Sequence, residues 1–131
     1  MQNLKINKVI AAVIKKNDTF LIAKRGKQDA LYGKWEFPGG KMEPGETEKE
    51  CLQRELFEEF GVQVEVDEFL CSVPFEHKST KMEMRVYYVT TFSGEFTPFE
   101  HQEIRWVSKD ELSLYEFPLP DVPVIKKLQS L

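Results

Sequence analysis

The sequence predicts an α/β chain in which helices cover a sheet on both faces. Two observations carry this. Short β-branched, apolar runs alternate with helical segments, and two amphipathic helices lie far apart in the chain, so each has its own sheet face to cover. Composition agrees: 131 residues, 41% hydrophobic and 31% charged, is the balance of one soluble domain, residues 1–131, with a core of useful size. No repeat with a period of roughly 20 to 50 residues and no low-complexity linker divides the chain.

Val9 to Ile14 and Thr19 to Ala23 flank Asn17-Asp18, which predicts a hairpin near the N-terminus, and 24–34 follows as a polar loop. The clearest helix spans Glu48 to Phe60. Thr47 and Glu50 form a T-x-x-E capping box at its start, Gly61 stops it, and Leu52, Leu56 and Phe60 form its apolar stripe. Strands are expected over Glu65 to Val73, Met82 to Phe92 and Ile104 to Val107, with a turn at Ser93-Gly94. A last helix runs from Val122 to Leu131, with Asp121 placed to cap it and Pro123 in its first turn.

A net charge of -4 argues against a nucleic-acid binder, which requires a basic patch to meet a phosphate backbone. If the substrate is phosphorylated, a metal neutralises it. Met1 to Lys5 lacks the charged head and apolar core of a signal peptide, and no apolar run approaches the roughly 18 residues of a membrane span, so neither export nor a membrane partner is expected. Cys51 and Cys71 form neither a CxxC pair nor a disulfide framework, which fits a reducing, cytoplasmic setting with both thiols as inert packing groups. His77 and His101 have no ligand-like spacing, which argues against a histidine-based metal site.

The stretch from Gly40 to Val62, GKMEPGETEKECLQRELFEEFGV, carries the chemistry. Glu55, Glu58 and Glu59 stand at i, i+3 and i+4, so they share one helix face beside the apolar stripe. An exposed acidic face is one reading of that cluster. A site for hard divalent cations, which take carboxylate oxygens together with water and phosphate, is the other.

The surrounding residues favour the second. The stretch resembles the Nudix box, G-x5-E-x7-R-E-U-x-E-E-x-G-U with U a bulky aliphatic, filled here by Gly40, Glu46, Arg54, Glu55, Leu56, Glu58, Glu59, Gly61 and Val62. With each residue type at about one in fifteen, its seven fixed matches have odds of order 10⁻⁸ per starting position. Trp35-Glu36-Phe37-Pro38-Gly39-Gly40-Lys41 is similar to the MutT branch of the family, and Leu119-Pro120-Asp121-Val122-Pro123-Val124-Ile125 to the segment that closes the base pocket there.

The resemblance implies a Nudix fold, an α/β/α sandwich around a mixed sheet with antiparallel and parallel pairs. It implies hydrolysis of a nucleoside triphosphate to a monophosphate and pyrophosphate with Mg²⁺, or Mn²⁺, which takes the same oxygen ligands. By position, Glu55, Glu58 and Glu59 become the catalytic carboxylates and, with the Gly39 carbonyl, the metal ligands, Glu55 doubling as base. Glu100 matches a further metal carboxylate outside the box, with Glu103 as its alternative. Glu46 and Arg54 support the loop and helix; Arg25 and Lys41 match phosphate-binding positions, with Lys24 able to replace Arg25.

Glu36 and Asp121 match positions that contact the base, and Tyr87, Tyr88 and Phe37 are candidates to stack on it. Asp121 stands where the best-known bacterial 8-oxo-dGTPases have Asn, and an ionised Asp only accepts hydrogen bonds. An acceptor there suits N7–H of 8-oxoguanine and the exocyclic amine of cytosine alike, and the resemblance implies 8-oxo-dGTP as the leading substrate, in nucleotide-pool sanitisation, with (d)CTP or a modified dCTP as the alternative. A nucleotide-binding module without turnover is the reading from a different class, and the chain is expected as a monomer or homodimer.

Overall fold

The computed structural model describes residues 7–26 and 33–131. The predicted loop over 24–34 and the Met1 to Lys5 stretch lie wholly or partly outside the described residues. Strand β1 (Asn7–Lys16) is the spine of the sheet. It turns at Asn17, where φ is +56°, into β2 (Thr19–Lys24), but the hairpin pairs only at Lys15 with Phe20 and Lys16 with Thr19. Beyond that point the strands part. β2 pairs with β3 (Trp35–Glu36) and β9 (Glu103–Ser108), whereas β1 pairs antiparallel with β4 (Gly39–Lys41) and parallel with β7 (Thr80–Val89). β6 (Phe69–His77) completes this side, antiparallel to β7. The sheet is thus mixed, as the family pattern implies.

Helix α1 (Glu48–Phe60) has the predicted limits. The Thr47 hydroxyl accepts from the Glu50 amide, the Glu50 carboxylate accepts from the Thr47 amide, and Gly61 ends the helix in the left-handed region. Leu52, Leu56 and Phe60 bury completely against Ile10, Ala12 and Ile14 on one face of β1. On the other face, Ala11 and Val13 pack in a second core with Val124, Ile125 and Leu128 of α2 (Val122–Gln129). Alternate residues of β1 therefore serve two cores, which is why its apolar run is continuous.

Several limits differ from expectation. The strand expected over Glu65 to Val73 is two: β5 (Gln63–Glu65), paired with β8 (Thr91–Ser93) in a separate small sheet, and β6. Met82 to Phe92 divides at Thr90 for the same reason. There the Asp67 carboxylate accepts from both the amide and the hydroxyl of Thr90, holding a corner where the chain leaves one sheet for the other. α2 ends at Gln129 rather than Leu131, and Asp121 makes no capping bond to it. No helix among the described residues is long and apolar enough to cross a membrane.

Candidate active site

Arg54 assembles the site from the helix side. Its guanidinium grips Glu46 with two bonds, Nε to Oε2 at 2.6 Å and Nη2 to Oε1 at 3.0 Å, and donates to the Lys41 carbonyl at 3.1 Å. Nη1 reaches Glu55 at 2.9 Å and Glu58 at 3.3 Å. One planar fork thus ties the loop before α1 to the helix, as its place in the pattern implied, and holds the Glu46 carboxyl below its usual range. Gly40 lets the backbone pass directly under Glu55: a methyl group there would lie 2.6 Å from Glu55 Oε2. At Gly39 a methyl would run into the Ile10 carbonyl and the Ala11 backbone of β1.

These elements border a cleft of about 460 Å³. Glu55, Glu59, Glu100, Gly39, Gly40 and Lys41 line one part; Arg25, Glu36, Phe37, His101 and Asp121 line it as well, with Pro118 and Pro120. Acid dominates. Glu59 is buried, and its carboxyl is pushed up to about 9, first by burial and then by Glu36, Glu55 and Glu100, with Arg25 acting against them. Burial also raises Glu55, against the pull of Arg54. Asp121 is pushed up to about 8, mainly by burial, with Glu36 adding and Arg25 opposing.

The Glu59 Oε2 atom has no hydrogen-bond partner among the described residues although it is buried. A buried, unpartnered carboxyl oxygen in a cleft shared with Glu36, Glu55 and Glu100 is unfavourable by itself and is what a divalent cation would offset. The carboxyl oxygens of Glu55, Glu59 and Glu100 suit a hard ion, and the His101 imidazole beside Glu36 and Glu59 adds one nitrogen to the groups that could hold a divalent cation. A larger cleft, about 860 Å³, is lined by Lys15, Lys49, Asp67, Glu68 and Lys109 among others, and contains none of these carboxylates. Chemistry, not volume, identifies the site.

The expected residues do not all arrive. Glu58 lies outside the lining of the cleft with its side chain 54% exposed, held by Arg54. Glu103 turns to Arg105 at 2.6 Å, so of the two alternatives outside the box Glu100 is the one at the cleft. Lys24 is absent from the lining, whereas Arg25 is in it and pairs with Glu36. Tyr87 and Tyr88 are away from the cleft: Tyr87 donates to Glu48 at 2.6 Å and Tyr88 lines the larger cleft. Of the three proposed stacking aromatics only Phe37 borders the site, backed by Phe117 with ring centroids 5.4 Å apart. Asp121 sits in the cleft wall and caps nothing.

His101 is the residue that sequence reasoning missed. Its Nε2 lies 2.7 Å from Glu36 Oε2 and 3.7 Å from Glu59 Oε1, so the imidazole stands between two carboxylates. Ligand atoms of these three residues lie within 4.8 Å of one another. Only its adjacence to Glu100 could have drawn notice. The cysteines behave as expected: Cys51 is fully buried, its thiol pushed up to about 12 chiefly by burial, and burial raises Cys71 too.

A family model described as the NUDIX domain matches residues 5–128. The chain belongs to the Nudix family. This Nudix chain is 34% identical over 128 residues to the CTP pyrophosphohydrolase of Escherichia coli K12, covering 98% of this chain and 95% of that one. It is 30% identical over 127 residues to the 8-oxo-dGTP diphosphatase of the same organism, with 97% and 98% covered. Among solved structures it is similar to the solution structure of the E. coli ORF135 protein, with a TM-score of 0.90, 34% identity and 98% and 91% coverage. It is also similar to a MutT protein from Methanosarcina mazei Go1, with a TM-score of 0.85, 25% identity and 99% and 97% coverage. The chain is a Nudix hydrolase acting on phosphoric anhydride bonds, in a family that uses divalent cations.

Proposed function

We propose that this Nudix hydrolase cleaves a nucleoside triphosphate to the monophosphate and pyrophosphate, with Mg²⁺ as its cation and 8-oxo-dGTP as its leading substrate. The observation that carries the reading is one cleft holding Glu55, Glu59 and Glu100 together with the acids Glu36 and Asp121. Glu55, Glu59, Glu100 and the Gly39 carbonyl would hold the ion, with Glu58 joining from the helix rim. Bound there, the ion would polarise the phosphoryl oxygens and offset the charge that builds on them.

Glu55 holds the attacking water and takes its proton. Its carboxyl suits a base because burial raises its proton affinity while Arg54 keeps it in place. Arg25 and Lys41 supply positive charge to the phosphate chain. Base selection falls to Glu36 and Asp121, with Phe37 offering a face for stacking.

With its proton affinity raised to about 8, the Asp121 carboxyl is mostly neutral at pH 7 and can both donate and accept. It can then face O6 of an oxidised guanine, which an ionised Asp would repel, and still accept from N7–H. A cytosine nucleotide is the second reading, because the exocyclic amine suits the same acceptor and a similar chain is named a CTP pyrophosphohydrolase.

Pyrophosphate release from 8-oxo-dGTP, dGTP, dCTP, CTP and 5-methyl-dCTP tests this, compared as kcat/KM. A lead of orders of magnitude for 8-oxo-dGTP supports the sanitising role; a lead for a cytosine nucleotide moves the substrate and keeps the mechanism. Glu55→Gln and Glu59→Gln should each lower kcat by roughly 100-fold or more with the fold intact by circular dichroism. Unchanged turnover in both would refute the assignment of the site.

A further inference from the structure

His101 takes no part in the chemistry above, yet it is one of the most enclosed polar side chains of the cleft, with 7% of it exposed. Two backbone bonds fix the loop that presents it: the Phe99 amide donates to the Glu59 carbonyl at 3.0 Å, and the Gln102 amide to the Lys24 carbonyl at 2.9 Å. The imidazole lies flat on Phe60 of α1, centroids 5.3 Å apart and planes 8° from parallel. Loop and stacking together leave the ring little freedom to turn.

We infer that His101 is a positioning residue for substrate recognition, holding Glu36 in the attitude from which it reads the base. This rests on the assignment of Glu36 as a base contact made above. A carboxylate can only accept, so Nε2 carries the proton and donates it to Glu36 Oε2 at 2.7 Å. Glu59, at 3.7 Å, lies beyond a hydrogen bond, so that proton is committed to Glu36. Arg25 holds the other oxygen, Oε1. Glu36 is therefore gripped from both sides, by a cation on one and by a stacked ring on the other. The second grip also places an N–H between Glu36 and Glu59, two acids that would otherwise face each other directly.

The carbonyl-and-amide side chain of Gln can put an N–H near the position of Nε2; Asn is too short to do so, and Phe keeps the stack on Phe60 while removing the donor. His101→Phe and His101→Asn should therefore raise KM for the preferred triphosphate roughly tenfold, the loss expected for a hydrogen bond to a charged group, with a smaller change in kcat. The preference for that nucleotide over its rival should shrink by a similar factor, and His101→Gln should recover most of both. The same order should appear without turnover, in calorimetric binding of the nucleoside monophosphate with no metal added.

If His101→Phe and His101→Asn lower the melting temperature but leave monophosphate affinity and nucleotide preference as they were, the residue is structural and the inference is wrong. Should His101→Phe fail to fold, the Gln and Asn variants decide by the same comparison. Glu36→Gln separates the two levels. If it weakens binding while the His101 variants do not, only the role of His101 fails; if it leaves binding unchanged, the assignment of Glu36 fails and the inference falls with it.

Discussion

Burial sets the proton affinity of Asp121, and the sign of its effect on stability follows. Its folded value, about 8, stands above the ordinary 3.8, so between these two the folded chain keeps a proton that the unfolded chain has released. Stability from this group is complete below about pH 4 and drains away as pH rises toward 8. Asp121→Asn, which copies the neutral carboxyl, should raise the melting temperature at pH 8 by roughly 10 °C or more and change it little at pH 4. Thermal melts in the two buffers check this, and equal shifts in both would mean that the acid is ionised throughout. Glu59 behaves alike with a different outlet. At about 9 its carboxyl is mostly protonated at pH 7, so cation binding should expel close to one proton, and affinity should climb nearly tenfold per pH unit below that value. Calorimetry in buffers of different ionisation enthalpy counts the proton; no release would show Glu59 already charged. Spacing alone put Glu55, Glu58 and Glu59 on one face, but it gave no ranking among them. That came from packing: with Leu56 and Phe60 turned to the sheet, Glu59 is carried inward and Glu58 outward. His101 was illegible because its partners are far away in the chain and no periodicity links them.

At the level of elements, α1 was legible to the residue because its signals are local: a capping box, an apolar stripe and a glycine stop all lie within the segment they delimit. Removing the cap by Thr47→Ala should cost about 1 kcal/mol and lower the melting temperature by roughly 3 °C, without altering nucleotide preference, as kinetics on the same substrate panel would show. Gly40→Ala should do the reverse. The added methyl displaces the Glu55 carboxylate, so kcat should fall by roughly tenfold or more while the far-ultraviolet spectrum stays unchanged. The strands were less legible where tertiary contacts cut them. Nothing in the run from Met82 to Phe92 marks Thr90 as a corner, because the group that makes it one, the Asp67 carboxylate, belongs to another segment. Asp121 misled for a related reason: its position before Val122-Pro123 fits a cap, but the preceding 3₁₀ turn, Leu119–Asp121, draws its side chain into the cleft wall.

For the whole molecule, the two faces of one sheet bear two cores, and the chain has one tryptophan for each. Trp35 is buried in the core beneath α2, whereas Trp106 packs against the core beneath α1. Because β1 contributes alternate residues to both, they should unfold together. Leu56→Ala should cost roughly 2–5 kcal/mol and move the urea midpoint seen by Trp35 as far as the one seen by Trp106, read in the Trp106→Phe and Trp35→Phe backgrounds. Separate midpoints would mean that the faces are independent. The architecture of helices on both faces of a sheet was legible from the alternation of elements, but beyond the β1–β2 hairpin the partners of the strands were not, since pairing depends on contacts between distant segments. The parallel pairing of β1 with β7 joins residues 7–14 to 82–89. A chain emerging from a ribosome must therefore hold its first strand, continuously apolar from Ile10 to Ile14, without its main partner until most of the protein has been made. Glu55 and Glu59 are brought together by α1 alone, whereas Glu36 and Glu100 reach the same cleft from either side of that helix in the chain, so the full set of acids exists only in the folded chain.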